Sequence, residues 1–309
     1  MKTIFTFGLV FCGIAVGMMP PGRAVAAAAA EDEIARRPSK LVDTSRDGWE
    51  QDVNARLLAA AEANDLPGVE SALADGAVAD AATFQKQVTA LMFACRHDNL
   101  DMAKAVLDAG ADPDLGDVMG ETALFRAVEI GDFDLVDLLF FHSAKVNVRN
   151  VHGATPLMRA VGSRDDAFLT QKLISRGAHL NCKRKDGRTA LMVAIEHSHL
   201  LAAARLLEND ARHQSKDRHG RTALSIAAEN GCVAAVQLLL TPKHCTKLNA
   251  KDKLGQTPLI WAVIGQKTDA VRALVEAGAK TNREDDFGRT AYQWAVFLGN
   301  QELQDLLKP

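Results

Sequence analysis

An all-α solenoid of about eight helix-turn-helix units, joined by β-hairpin-like turns, is the fold this sequence predicts. Three rows of residues predict it. A Thr recurs at Thr89, Thr122, Thr155, Thr189, Thr222, Thr257 and Thr290, in steps of 33, 33, 34, 33, 35 and 33. A Gly stands two residues before the last six of these, at Gly120, Gly153, Gly187, Gly220, Gly255 and Gly288, and Gln87 takes that place before the first. An Ala stands five residues after every one, from Ala94 to Ala295. Self-similarity at such a period marks stacked supersecondary units, none of which buries its apolar face alone.

Composition narrows the class further. Apolar residues make up 48% of the 309, too many for a chain disordered throughout, and 22 Gly with 9 Pro exclude a collagen-like fibre. With 36 basic against 39 acidic residues, the net charge is -3. That balance lacks the basic footprint of a general nucleic-acid binder.

The chain opens on an address label. Lys2 is basic, Ile4 to Met19 carries no charge, Pro20-Pro21-Gly22 breaks any helix, and Ala24-Val25-Ala26 has the small-x-small pattern of a signal-peptidase site. The apolar run is short for a membrane span, which needs about twenty residues. Residues 1–26 are therefore read as a cleaved signal peptide, leaving no stable membrane anchor. Phe11 before Cys12 is too large for a lipoprotein site. Residues 27–51 begin Ala-rich and turn charged (Glu31, Asp32, Glu33, Arg36, Arg37). With little to bury, they are expected to form a flexible linker.

The repeat region runs over 52–309, with units at about 52–83, 84–116, 117–149, 150–183, 184–216, 217–251, 252–284 and 285–309. Ala55 and Ala60 stand in the Thr and Ala slots of the first unit. In each later unit the Gly permits a tight turn with positive φ, and the Thr caps the first helix. Pro156 and Pro258 follow at the first helical position, where a missing N–H is harmless. The Ala row lets neighbouring helices approach closely. A loop Gly (Gly131, Gly231, Gly299) separates the two helices of a unit. Paired apolar residues such as Val106-Leu107, Leu139-Phe140 and Leu206-Leu207 supply the buried side of the second helix, and Gly110, Gly177 and Gly278 end it. The fourth unit has one extra residue near Arg164-Asp165-Asp166. The sixth has two around Pro242-Lys243-His244-Cys245, where a bulged loop is expected.

Asp-Arg-His-Gly-Arg-Thr-Ala-Leu at 217–224 and Asp-Lys-Leu-Gly-Gln-Thr-Pro-Leu at 252–259 closely resemble the ankyrin repeat. The resemblance covers over four-fifths of the chain. It departs from the family pattern in the slot three after each Thr, where the family often has His. Here that slot holds Met92, Phe125, Met158, Met192, Ser225, Ile260 and Gln293, so apolar packing must replace a histidine network.

The sequence carries none of the familiar motifs of catalytic chemistry. There is no GxGxxG, P-loop, HExxH, GxSxG or CxxC motif, and a solenoid offers a shallow curved surface rather than a closed pocket. No catalytic, cofactor or metal residues are expected. Asp112, Asp114, Gly116 and Asp117 resemble the start of a calcium loop, but the spacing fails and no late Glu completes it. His197, His199, His213 and His219 fall close together without a geometry to hold them on one ion. Cys232 and Cys245 bracket a helix whose ends lie about 14 Å apart. A disulfide needs Cα atoms within about 7 Å. Cys95, Cys182, Cys232 and Cys245 are expected to remain thiols.

The resemblance implies a protein partner, met through the hairpin tips and the inner face of the first helices. The slot four after each Thr reads Phe93, Arg126, Arg159, Val193, Ile226, Trp261 and Trp294. Two Trp in adjacent units, with Leu254 and Phe287 at the neighbouring tips and Ile226, Ile264 and Phe297 along the helices, make a candidate apolar contact stripe. Arg126 and Arg159 add a basic stretch suited to acidic groups. The competing reading is that both Trp pack against the neighbouring unit and stiffen the C-terminal end. The function expected is a monomeric, non-catalytic protein-binding scaffold, periplasmic or secreted. The alternative is a metal- or redox-linked envelope stress protein using His197, His199 and Cys245.

Overall fold

The computed structural model describes residues 35–43, 49–241 and 247–308. Among them are sixteen α-helices in eight pairs. The pairs are α1 (Val53–Glu62) with α2 (Leu66–Ala74), α3 (Ala90–Arg96) with α4 (Leu100–Asp108), α5 (Ala123–Ile130) with α6 (Phe133–Phe141), and α7 (Pro156–Ser163) with α8 (Ala167–Ser175). There follow α9 (Ala190–Glu196) with α10 (Leu200–Glu208), α11 (Ala223–Asn230) with α12 (Val233–Leu239), α13 (Pro258–Ile264) with α14 (Thr268–Glu276), and α15 (Ala291–Phe297) with α16 (Gln301–Leu307). Odd-numbered helices stack on one another in one row and even-numbered helices follow in a second.

Helices this short are marginal alone, so their ends and one face must be held by neighbours. Thr89, Thr155, Thr189 and Thr257 each accept the backbone N–H three residues on through Oγ1, at 3.3–3.4 Å. Thr222 with Ser225 and Thr290 with Gln293 add a return bond and form capping boxes. Every Ala of the repeating row from Ala94 to Ala295 is buried, and Ala60 of the first unit is half-buried. Met92, Phe125, Met158, Met192 and Ile260 are buried too, filling with apolar volume the slot that resembles a histidine position.

The hairpins stack by a separate mechanism. An Asp or Asn opens most turns, and its Oδ1 accepts two backbone N–H groups of its own turn. Asp117 takes Met119 and Glu121, Asp252 takes Leu254 and Gln256, and Asp285 takes Phe287 and Arg289, all at 2.8–3.0 Å. One backbone bond then joins each tip to the next, as from Val151 N–H to the Met119 carbonyl and from Asp286 N–H to the Leu254 carbonyl. Gly187 shows why this turn needs glycine. Its φ is +81°, and a Cβ there would lie 2.6 Å from the Arg218 nitrogen of the next tip. In the unit without that glycine, Gln87 takes up the left-handed conformation at φ 56°.

Residues 35–43 correct the linker expectation. They form an extended strap along the tips of the second and third units. Strand β1 (Leu41–Val42) pairs in parallel with β2 (Ala82–Thr83). Ala82, Phe84 and Gly116 N–H groups donate to the Lys40, Val42 and Arg36 carbonyls at 2.9, 2.8 and 2.7 Å. The Arg37 guanidinium reaches the Asp117 and Val118 carbonyls and Gln87 Oε1. Arg36 pairs with Asp112, and Ala35 and Val42 are buried. Composition missed this because main-chain bonds and two guanidinium groups hold the strap, not a large apolar face.

The extra residue of the fourth unit lets Arg164 leave α7 in extended conformation (φ -144°, ψ 147°). Asp165 then accepts the Ala202 N–H, in the first turn of α10. The signal peptide, Cys12, the bulged loop around 242–245 and Cys245 lie outside the described residues.

Candidate functional site

Three slots of each unit line the inner surface: the residue before the Thr, and the fourth and seventh residues after it. The hairpin carboxylate sets what the middle slot does. Its Oδ1 is consumed by the turn, which leaves Oδ2 for a donor nine residues on. Arg126 gives that bond to Asp117 at 3.0 Å. Trp261 Nε1–H gives it to Asp252 at 3.0 Å, and Trp294 Nε1–H to Asp285 at 2.8 Å. Ile226 has nothing to donate, and there Arg221 Nε–H reaches Asp217 Oδ2 instead, at 3.0 Å.

The outer two slots carry ion pairs through the middle of the stack. Arg188 bonds Glu196, and Arg221 bonds Glu229 at 2.8 Å. In the third and fourth units, Arg126 and Arg159 share Glu121 and Glu129, and Arg126 also holds Asp117. This corrects the basic stretch: two guanidinium groups meet three carboxylates and present no free positive patch. Gly162, in the seventh-residue slot of the fourth unit, opens a trough of about 450 Å³ that reaches Met119, Arg159, Val193 and His197.

The last two units break the charge pattern. Their outer slots read Gln256 with Ile264 and Arg289 with Phe297. The Arg289 guanidinium lies 3.8 Å from the Trp294 ring centre, 5.0 Å from that of Phe287 and 5.8 Å from that of Phe297. Trp294 and Phe297 meet edge to face at 5.8 Å. Arg221 stands 5.5 Å over Trp261. Phe287 is 63% exposed, Phe297 70% and Leu254 48%. Beside Trp261, a trough of about 430 Å³ runs between His219, Arg221, Lys253 and Leu254.

Both Trp are half-buried. Each is anchored by its indole N–H, with part of its ring left on the surface, so neither full packing nor free display describes them. Ile226 is corrected: at 3% exposure it belongs to the core, not the contact stripe. Ile264 is half-buried, and Phe93 and Val193 are buried. Burial alone would raise the Asp285 carboxyl. The backbone N–H groups of Arg289 and Phe287, the Trp294 indole and the Arg289 charge outweigh it and hold that carboxyl below its ordinary value.

Three copies of a family model described as ankyrin repeats match residues 57–150, 157–252 and 244–308. The chain belongs to the ankyrin-repeat family. An ankyrin repeat protein of Acanthamoeba polyphaga mimivirus is 23% identical over 226 residues, covering 70% of this chain and 29% of that protein. Neurogenic locus notch homolog protein 1 of Xenopus tropicalis is 34% identical over 176 residues, 52% of this chain and 7% of the relative. The human notch homolog protein 2 is 30% identical over 177 residues, again 7% of its length. The chain thus spans less than a third of each of these relatives. Ankyrin repeats mediate protein–protein interaction, and the inner surface of this stack is read in those terms.

The calcium-like aspartates are part of the ankyrin scaffold. Asp112 N–H donates to Asp80 at 2.7 Å and Lys145 N–H to Asp114 at 2.8 Å. Asn147, Asn181 and Asn249 repeat that cross-unit bond at 2.8 Å. His197 and His199 stack at 5.7 Å, and His199 Nδ1 is bonded to the Val161 carbonyl. Among the described residues, no three His, Cys, Asp or Glu side chains are grouped to hold a metal. Cys95 is buried, which pushes its thiol up to about 12, with Asp132 and Asp98 adding to the shift. No helix among the described residues is long and apolar enough to cross a membrane.

Sequence reasoning missed a second exposed apolar set, on the even-numbered helices: Phe141, Phe168 and Leu201. The signal was there in α6, whose Phe-Asp-Leu-Val-Asp-Leu-Leu-Phe-Phe holds more apolar residues than one buried face can use.

Proposed function

We propose that this chain is an exported, monomeric, non-catalytic scaffold that binds one partner protein through the inner side of its last two ankyrin units. One observation carries the reading. The slot that holds the Glu of an Arg–Glu pair in the fifth and sixth units holds Ile264 in the seventh and Phe297 in the eighth, beside the two Trp of the middle slot. Self-satisfied ion pairs offer a partner little. Trp261, Trp294, Phe287, Phe297 and Leu254 offer apolar area on rigid helices and tips, with Trp the side chain most enriched where binding energy concentrates. Export is proposed on the charge-free run from Ile4 to Met19 and the Ala24-Val25-Ala26 site.

Affinity capture from the native compartment tests the binding, with wild type compared against a Phe287→Ser, Phe297→Ser double variant. These side chains are exposed, so the fold is kept. A partner retained by wild type and lost by the variant supports the reading, and equal capture by both sinks the surface assignment. Fractionation with N-terminal sequencing tests export: a mature chain beginning near Ala27 outside the cytoplasm supports it, and an intact Met1 in the cytoplasm refutes it. Light scattering of the purified chain tests the monomer.

A further inference from the structure

The inner surface repeats an arrangement that the last unit leaves incomplete. In the fifth and sixth units the residue before the Thr is Arg and the residue eight further on is Glu, giving Arg188–Glu196 and Arg221–Glu229. The eighth unit keeps the Arg, as Arg289, and puts Phe297 where the carboxylate belongs. A second bond is lost as well. Arg221 Nε–H donates to Asp217 Oδ2 at 3.0 Å, but the equivalent oxygen of Asp285 is taken by the Trp294 indole, and Arg289 Nε stands 3.9 Å from it. Arg289 Nε is one of three buried side-chain polar atoms without a hydrogen-bond partner among the described residues. Gln256 Oε1, one unit earlier in the same row, is another.

What remains is a guanidinium 3.8 Å from the Trp294 ring centre, with Phe287 and Phe297 beside it and only a long 3.9 Å ion pair to Asp285, which is already committed to its turn and to the indole. Contact with the rings uses none of its N–H donors, and a planar guanidinium fork held among aromatic side chains suits a carboxylate. Rings around the edge lower the local dielectric and strengthen any ion pair formed there.

We infer that Arg289 takes a carboxylate from the partner protein, an Asp or Glu side chain in a segment whose adjacent residue is aliphatic or aromatic. The acid completes in trans the Arg–Glu pair that the fifth and sixth units make in cis. The apolar neighbour lies against Trp294 and Phe297. The inference rests on the protein-binding reading above and names the partner chemistry of that site.

The test selects randomised peptides by display on the full chain and measures the winners by fluorescence anisotropy, each against its Asp→Asn or Glu→Gln counterpart. Three variants are compared. Arg289→Gln removes the fork. Phe297→Glu restores the missing carboxylate in cis and so occupies Arg289. Arg188→Gln alters an arginine already paired. The expected result is enrichment of an acid beside an apolar residue, with binding weakened at least about tenfold by the amide peptide, by Arg289→Gln and by Phe297→Glu, but not by Arg188→Gln. An unchanged melting temperature for Phe297→Glu separates an occupied site from a damaged fold. Peptides that bind the wild type and lose affinity on Phe287→Ser, yet carry no acid and ignore Arg289→Gln, overturn the inference and leave the binding surface standing. A selection that yields no peptide sensitive to any of these positions overturns both.

Discussion

Trp294 donates its indole N–H to Asp285 Oδ2 at 2.8 Å, using the one carboxylate oxygen that the hairpin leaves over. The other oxygen is committed to the backbone N–H groups of Phe287 and Arg289. A single buried aspartate therefore closes the turn and anchors the aromatic side chain nine residues on. The same relationship joins Asp252 to Trp261 and Asp117 to Arg126. The inner-face stripe is held through the hairpins, not by burial alone.

That bond has a pH signature. Asp285 ordinarily titrates at 3.8, and in the folded chain it titrates lower. Its contribution to stability is therefore fully present above 3.8 and is lost as the pH falls through the lower folded value. Trp294→Phe keeps the ring and removes the donor. The carboxyl should move back up towards its ordinary value, and stability near neutral pH should fall by about 1–3 kcal/mol. Carboxyl-carbon NMR titration of both proteins checks the first point and urea unfolding the second. An Asp285 that titrates identically in the two would show that the indole bond does not hold it.

Glycine cost should differ between turns of the same type. Gly187 has φ +81° and sits against the next tip, whereas Gly288 has φ +74° with nothing within 4 Å of a built Cβ. Gly288→Ala should cost about 1 kcal/mol from backbone strain alone. Gly187→Ala should cost more than twice that, because the neighbouring main chain must shift. Urea midpoints of the two variants decide it, and equal losses would mean that the close approach is soft.

The stack was legible in the sequence because its determinants are local and periodic. A Thr cap, a turn Gly and a small Ala recur at fixed spacing, and each acts within its own unit or on the next. The site was only half legible. Trp261, Trp294, Phe287 and Phe297 stand out by residue type, but the pairing of Arg126 and Arg159 depends on three-dimensional placement: Arg126 turns to Asp117, Glu121 and Glu129 of its own unit, and Arg159 reaches Glu121 thirty-eight residues away. Ile226 shares a slot with the two Trp yet is buried, because a shorter side chain without a donor stays below the surface that an anchored indole reaches. The strap was illegible for a related reason. Three of its bonds to the tips are main-chain bonds, which carry no residue-type signal, and the carbonyls and side chains that Arg36 and Arg37 meet lie fifty residues or more away.

The correction at Ile226 is directly measurable. Ile226→Ala removes a fully packed side chain and should destabilise the chain by about 2–4 kcal/mol. Phe297→Ser, two units further on at an exposed position, should stay within about 0.5–1 kcal/mol of wild type. Thermal unfolding ranks them. The reverse order would return Ile226 to the contact stripe and place Phe297 in the core.

The strap makes the last prediction. Arg37 supplies three of its side-chain contacts, two to carbonyls of the third hairpin and one to Gln87. Ala82, Phe84 and Gly116 donate their N–H groups to strap carbonyls. Arg37→Ala should therefore loosen residues 35–43 and speed amide exchange at those three positions by about tenfold, the loss of roughly 1.4 kcal/mol of local protection. The inner helices from α3 to α15 should exchange as in wild type, since no strap bond reaches them. Residue-resolved hydrogen exchange reads both. If the three amides stay protected in the variant, the main-chain pairing of β1 with β2 holds the strap without the arginine. If exchange rises along the whole stack, the strap is a structural cap for the solenoid rather than a segment laid upon it.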